Sequence, residues 1–182
     1  MFQVNDKVLY PGHGVAIIEE TIEKSVAGKV LKFFKLKFLY KDMTILIPVN
    51  GNMHNIRHLN NPTEVDTAIK ILFTVPKKVL DASDFTPSSW NKRNKDYQLK
   101  IQGGELNDIV CIYRDLMYIS KYKELSFGEK NLLQSIEELL IQEIGVVRNK
   151  DRSEVIRELR APFQHITFTG SLGQNTPTTT AV

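Results

Sequence analysis

The spacing of apolar residues changes once along this chain, and the change falls at a helix-start signal. Before Asn61 the strong runs alternate. In "KVLKFFKLKFLY", Phe34, Leu36, Phe38 and Tyr40 share one side and Lys35 and Lys37 take the other, while in "MTILIPV" Met43, Ile45, Ile47 and Val49 point one way. A period of two belongs to a half-buried strand. From Asn61 onward the period is helical: Asn61-Pro62-Thr63-Glu64 supplies a cap residue, a proline at the first helical position and a glutamate at the third, and Val65, Ile69 and Leu72 follow. Two kinds of element in two blocks predict two domains, residues 1–60 and 61–161.

Within the first block, turn signals stand at Pro11-Gly12-His13-Gly14, Ala27-Gly28, Lys41-Asp42 and Asn50-Gly51. About five short strands joined by tight hairpins predict a small all-β SH3/Tudor-like barrel, which by size is a binding module. The second block predicts an all-α compact helical domain. Its second helix begins near Ser88 or Ser89 and stops at Gly103-Gly104. A third runs from about Leu106 to Lys121 with a stripe of Leu106, Ile109, Val110, Tyr113, Leu116 and Met117. Ser126-Phe127-Gly128-Glu129 is a capping box for a fourth helix, which buries Leu132, Leu133, Ile136, Leu139, Leu140 and Ile144 and ends at Gly145. A short fifth, Asp151 to Arg160, is stopped by Pro162. Residues 162–182, rich in Thr, Gly, Asn and Gln, predict a flexible tail.

Composition narrows the function. A hydrophobic content of 42% and a charged content of 25% over 182 residues are those of an ordinary globular protein. A single cysteine excludes an internal disulfide, and no Cys/His cluster offers a zinc site, so a reducing cytoplasmic setting is expected. The first residues lack the basic and apolar regions of a signal peptide, and no stretch approaches the roughly 20 apolar residues of a membrane span. The net charge of +3 is small, and residues 102–145 carry 4 basic against 8 acidic side chains, so any nucleic-acid contact has to be local.

Signs of catalysis are weak. The four histidines, at 13, 54, 58 and 165, share no metal-ligand spacing and read as solvated turn residues. "PGHG" lacks the frame, the lysine and the following helix of a phosphate loop, and reads as a β-turn. No nucleophile elbow, HExxH or kinase set is present. No enzyme, metal, cofactor or small-molecule substrate is expected, although a hydrolase with a dispersed site escapes such a scan.

Two surfaces remain. Leu46 alternates out of phase with Ile45 and Ile47, which leaves an apolar side chain opposite the core, and Lys24 in "TIEKSVAGK" adds a cation near it. The strand is either covered by a neighbouring loop or open to another protein's edge strand. In "TPSSWNKRNKDY" the only tryptophan is ringed by Lys92, Arg93 and Lys95. Ser89 is a candidate cap, and Trp90, Tyr97 and Ile101 lie on one helical stripe, so Trp90 either covers the top of the core or serves as an aromatic wedge among phosphate-neutralising cations. A Tudor- or KOW-like RNA-binding module with a helical interaction domain, its strand lysines tracking RNA, is the competing reading.

"FQVNDKVLYPGHGVAIIE", "MTILIPV", "WNKRNKDY", "VCIYRDLMY" and "ELSFGEKNLL" resemble, in order and spacing, the CarD/CdnL family of bacterial RNA polymerase-binding transcription regulators over roughly residues 1 to 145. The resemblance implies an N-terminal Tudor-like domain that docks on the β subunit of RNA polymerase, through Lys24, Thr44 and Leu46. It implies a C-terminal helical domain that reaches promoter DNA at the upstream edge of the transcription bubble. Trp90 would wedge into the minor groove there, Lys92, Arg93 and Lys95 would neutralise phosphates, and Lys130 would help hold the backbone. Some members carry arginine on the strand before "IP"; this chain has none between Lys41 and Arg57, which makes the expected docking more apolar than ionic.

Overall fold

A computed structural model describes residues 2–49, 56–76, 86–164 and 166. The chain divides into two compact units, Met1–Asn60 and Asn61–Val182. The first is an antiparallel sheet of five strands, β1 (Lys7–Tyr10), β2 (Gly14–Val26), β3 (Lys29–Phe38), β4 (Thr44–Pro48) and β5 (Arg57–His58). Their order is β4-β3-β2-β1-β5, so β1 to β4 pair consecutively, β5 adds beside β1, and β4 stands at an edge. The β2–β3 hairpin is closed by Ala27 and Gly28, with φ of 50° and 76°. Positive φ at both central residues gives the turn whose twist matches that of the strands. The pairing register shifts between Ile18 and Glu20, which leaves Glu19 as an extra residue in β2. Such a bulge bends the long hairpin and strengthens its twist.

The alternation read from sequence holds along most of this sheet. Val8, Ala16, Ile18, Phe34, Leu36, Phe38, Ile47 and Ile56 form one buried cluster. Tyr40 departs from it: β3 ends at Phe38, and Tyr40, in the following loop, is exposed. His13 and His58 are also exposed, the first in the turn after β1 and the second on β5 against the Phe2 ring. His54 and His165, like the Asn50-Gly51 turn, lie outside the described residues.

The second unit contains five helices, α1 (Pro62–Ile71), α2 (Pro87–Gly103), α3 (Leu106–Tyr122), α4 (Phe127–Arg148) and α5 (Arg152–Arg160). Capping boxes start three of them: Asn61 with Glu64, Ser126 with Glu129, and Asp151 with Glu154. Each satisfies two backbone amides that would otherwise lack a partner. For α2 the cap is Thr86, one turn earlier than expected, and Ser89 gives its amide to the Thr86 hydroxyl oxygen instead of capping. Gly145 does not end α4. The helix runs on to Arg148 because Asn149 takes the left-handed conformation (φ 50°) and closes the last turn by giving its amide to the Gly145 carbonyl. A Cβ at Gly145 would come within 3.2 Å of the Lys150 carbonyl oxygen, so that glycine serves close packing.

Helix packing buries Val110, Tyr113, Leu116, Ile119, Ile136, Leu140, Ile144, Val155 and Leu159 in a single cluster. Full burial of one such side chain contributes about 1.5–3 kcal/mol. The expected boundary at Pro162 gives way here. Ala161–Phe163 form a 3-10 turn, and the Phe163 ring, 1% exposed, meets Tyr113 and Tyr118 edge-on at centroid distances of 6.1 and 5.8 Å. Proline stops the α-helix but not the packing, since an aromatic ring beyond it still has apolar surface to cover. Residues 167–182 lie outside the described set. Among the described residues, no helix is long and apolar enough to cross a membrane.

A candidate DNA face and a candidate docking edge

Trp90 is the fourth residue of α2, which buries Tyr97 and Ile101 below it. The indole is only partly buried, and it packs on the helical core at the point where α4 begins. A Cβ placed on Gly128 would lie 3.5 Å from both Cζ2 and Nε1 of Trp90. The ring therefore lies across the one residue of that turn without a side chain. One side of the ring rests on the helical core, and the ring keeps exposed surface.

The cations around it separate into two kinds. Lys92 and Lys95 are exposed, and neither has an ion-pair partner among the described residues. Arg93 is turned inward, its side chain 17% exposed, and approaches Glu129 at 3.5 Å. Glu129 is 2% exposed and is the centre of a small network: its carboxylate accepts from Lys123 Nζ at 2.6 Å and from the Ser126 amide at 2.8 Å. Burial alone would raise the Glu129 carboxyl, but the Lys123 and Ser126 hydrogen bonds outweigh it and hold the group below the usual carboxylate range. Arg93 thus ties α2 to the start of α4, the turn on which the indole lies. Lys130, exposed and paired with the still more exposed Glu124 at 2.7 Å, occupies the same first turn. Such a surface pair exchanges readily for a phosphate.

The sequence singled out Trp90 and the lysines as candidates but gave no sign of the contacts of Gly128, Glu129 and Lys123. The capping box was visible, yet nothing in the spacing says that its glycine lies under an aromatic ring from another helix. Among the described residues no cluster of His, Cys, Asp or Glu is arranged to hold a metal ion.

In the sheet, β4 pairs with β3 as Thr44 with Lys37, Leu46 with Lys35 and Pro48 with Phe33. Hydrogen bonds from the Phe38 amide to Met43 and from the Val49 amide to Lys32 place the bonded pairs at the odd-numbered residues of β4. By antiparallel alternation, the amides and carbonyls of Thr44 and Leu46 then face away from β3. At Pro48 the outward position needs no N–H, which is where a strand tolerates proline. Leu46 is 37% exposed, and Thr44 is exposed beside it.

Cross-strand pairing gives the face its composition. Directly opposed residues share a side of the sheet, so Thr44, Lys37 and Ile17 form one row, Leu46, Lys35 and Glu20 the next, then Pro48, Phe33 and Ile22, and finally Leu31 with Lys24. Lys24, Thr44 and Leu46 are therefore on one side, with Lys24 beyond the end of β4. Lys35 is held by Glu19 and Glu20, both at 2.9 Å, and its ammonium is kept charged well above the ordinary lysine range by those two hydrogen bonds. Lys35 is thus neutralised in place, and the face presents the accessible apolar side chain of Leu46 together with the exposed cations Lys37 and Lys24.

Residues 2–60 match the family model described as the CarD-like/TRCF RID domain, and residues 77–160 match CarD, C-terminal domain. The chain is 30% identical over 156 residues, 85% of its own length and 97% of the relative's, to YdeB of Bacillus subtilis (strain 168), which is named as a candidate transcription factor. Both halves match in the order the motifs predicted, and the chain belongs to the CarD family of transcription regulators, whose RID-type domain points to RNA polymerase as partner.

Proposed function

We propose that the Tudor-like N-terminal unit docks on the β subunit of RNA polymerase through the open edge of β4, and that the helical unit grips promoter DNA at the upstream edge of the transcription bubble. The observation that carries the second half is the partly exposed indole of Trp90, seated on Gly128, with Lys130 in the same turn of α4 and Lys92 and Lys95 exposed on α2. An aromatic ring held from behind enters a minor groove or stacks at a fork without losing its orientation, while the lysines neutralise phosphates. Arg93, bound toward Glu129, acts by positioning.

No chemistry is needed. Binding open DNA better than closed by about 1.4 kcal/mol shifts the equilibrium tenfold. A chain of net charge +3 binds free DNA weakly, and anchoring on polymerase raises its local concentration at the promoter. The apolar side chain of Leu46 and the outward amides of Thr44 and Leu46 supply the anchor by strand addition.

The test is capture of purified RNA polymerase by the full chain. Leu46→Glu and Thr44→Pro are expected to weaken capture about tenfold, the first by charging the apolar position and the second by removing one outward N–H, while Trp90→Ala leaves it intact. Equal capture by all four proteins contradicts docking at β4.

A further inference from the structure

One aromatic side chain next to this site has no structural employment. Phe127, the first helical residue of α4, is 81% exposed, more than any other large hydrophobic residue among those described. A Cβ on its neighbour Gly128 would lie 3.5 Å from the Trp90 indole. Consecutive Cα atoms are about 3.8 Å apart, so the Phe127 backbone is one residue from the glycine that the indole covers. Neither the capping box nor the core uses the Phe127 ring: Ser126 and Glu129 make the reciprocal cap, and the buried face of α4 begins at Glu129 and Leu132. A lone exposed apolar residue is ordinary. Here it is one residue from the glycine beneath a second, partly exposed ring, with Lys130 on the same turn and Lys92 and Lys95 on the helix that carries Trp90.

We propose that Phe127 is a second stacking contact for nucleic acid, specifically for an unpaired base of the melted promoter strand, beside the Trp90 wedge. This rests on the DNA-binding reading above. The charge pattern selects a polyanion over an apolar protein partner: Lys92 and Lys95 on α2 are exposed, Lys130 on the same turn is held by the solvent-exposed Glu124 in a pair that a phosphate displaces, and Glu129 is buried and neutralised. The lack of hydrogen-bonding groups on the ring selects stacking over base-edge readout, because every base presents a π-face. A paired base inside a duplex keeps its faces covered, so Phe127 discriminates open from closed DNA, the discrimination that stabilising a bubble requires.

The test uses the full chain with RNA polymerase on a promoter carrying 5-iodouracil either in the unpaired strand at the upstream edge or one turn upstream in duplex. Near-ultraviolet irradiation is expected to cross-link Phe127 to the unpaired position and not to the paired one, with the peptide identified by mass spectrometry. Phe127→Ala is expected to shorten the open-complex lifetime several-fold with an unchanged melting temperature, and Phe127→Tyr to restore it. Absence of the cross-link together with a wild-type lifetime for Phe127→Ala, while Trp90→Ala still shortens it, overturns the second contact and leaves the wedge standing. Wild-type lifetimes for both variants overturn the DNA-binding reading and this inference with it.

Discussion

At Gly128 a missing side chain decides where an aromatic ring lies. The Trp90 indole rests at ordinary contact distance from the place a Cβ would occupy, so one methyl group is tolerated and a branched chain is not. Gly128→Ala is expected to keep or slightly raise stability, by up to about 1 kcal/mol, because alanine loses less entropy in a helix. Gly128→Leu is expected to lift the ring. Trp90 is the only tryptophan, so the emission spectrum of the isolated protein reads this directly. Unchanged emission for the alanine variant and a red shift with stronger iodide quenching for the leucine variant are the expected pair. At this scale the sequence was half legible: "WNKRNKDY" announced an unusual tryptophan, and the inward turn of Arg93 did not show, because a cation's partner three dozen residues away leaves no local trace.

The helix starts were the most legible elements, since a capping box is a reciprocal local bond that spacing alone reveals. Where the sequence misled, a local signal met a non-local one. Ser89 lost to Thr86 as cap because Pro87 begins the helix earlier, and Gly145 stayed helical because the Asn149 amide closes back onto its carbonyl. The start of α4 also fixes α2 through Glu129. Replacing Glu129 by Gln keeps a side chain that can complete the cap but removes the charge that holds Lys123 and Arg93. Glu129→Gln is expected to cost about 1 kcal/mol in thermal stability and to shift Trp90 emission toward that of an exposed indole. A variant with wild-type emission would place the control of the ring elsewhere. The edge of β4 was legible in part: alternation exposed Leu46, but the outward direction of the Thr44 and Leu46 amides emerged only with the register.

For the molecule as a whole, the change of period at Asn61 announced both units, and their matching families agree with the motifs in order. The end of the helical unit was obscured because Phe163 follows a proline in a segment without period, and a single ring filling a gap against Tyr113 and Tyr118 has no pattern to read. Charge pairs set the acid limit of this unit. Burial pushes the carboxyls of Glu129, Glu137 and Glu158 up, but hydrogen bonds from Lys123, from Arg160 and Tyr113, and from Lys150 and Arg148 outweigh it and leave all three lowered from 4.5. Groups depressed in the folded state add stability that is present above the unfolded value and lost as pH falls through the folded values. Thermal melts followed by circular dichroism are therefore expected to be level near neutrality and to fall progressively below about pH 4.5, with a shallower fall for Glu129→Gln. Identical acid slopes for the two proteins would remove Glu129 from the account.

The central claim is that an indole supported by α4 holds open promoter DNA while β4 holds polymerase. The lifetime of polymerase–promoter open complexes after a competitor challenge, with and without the protein, tests it most directly. The account predicts that wild-type protein lengthens the lifetime and that Trp90→Ala, at equal polymerase occupancy, loses about tenfold of that effect. A Trp90→Ala protein that binds polymerase and preserves the full lifetime would contradict it.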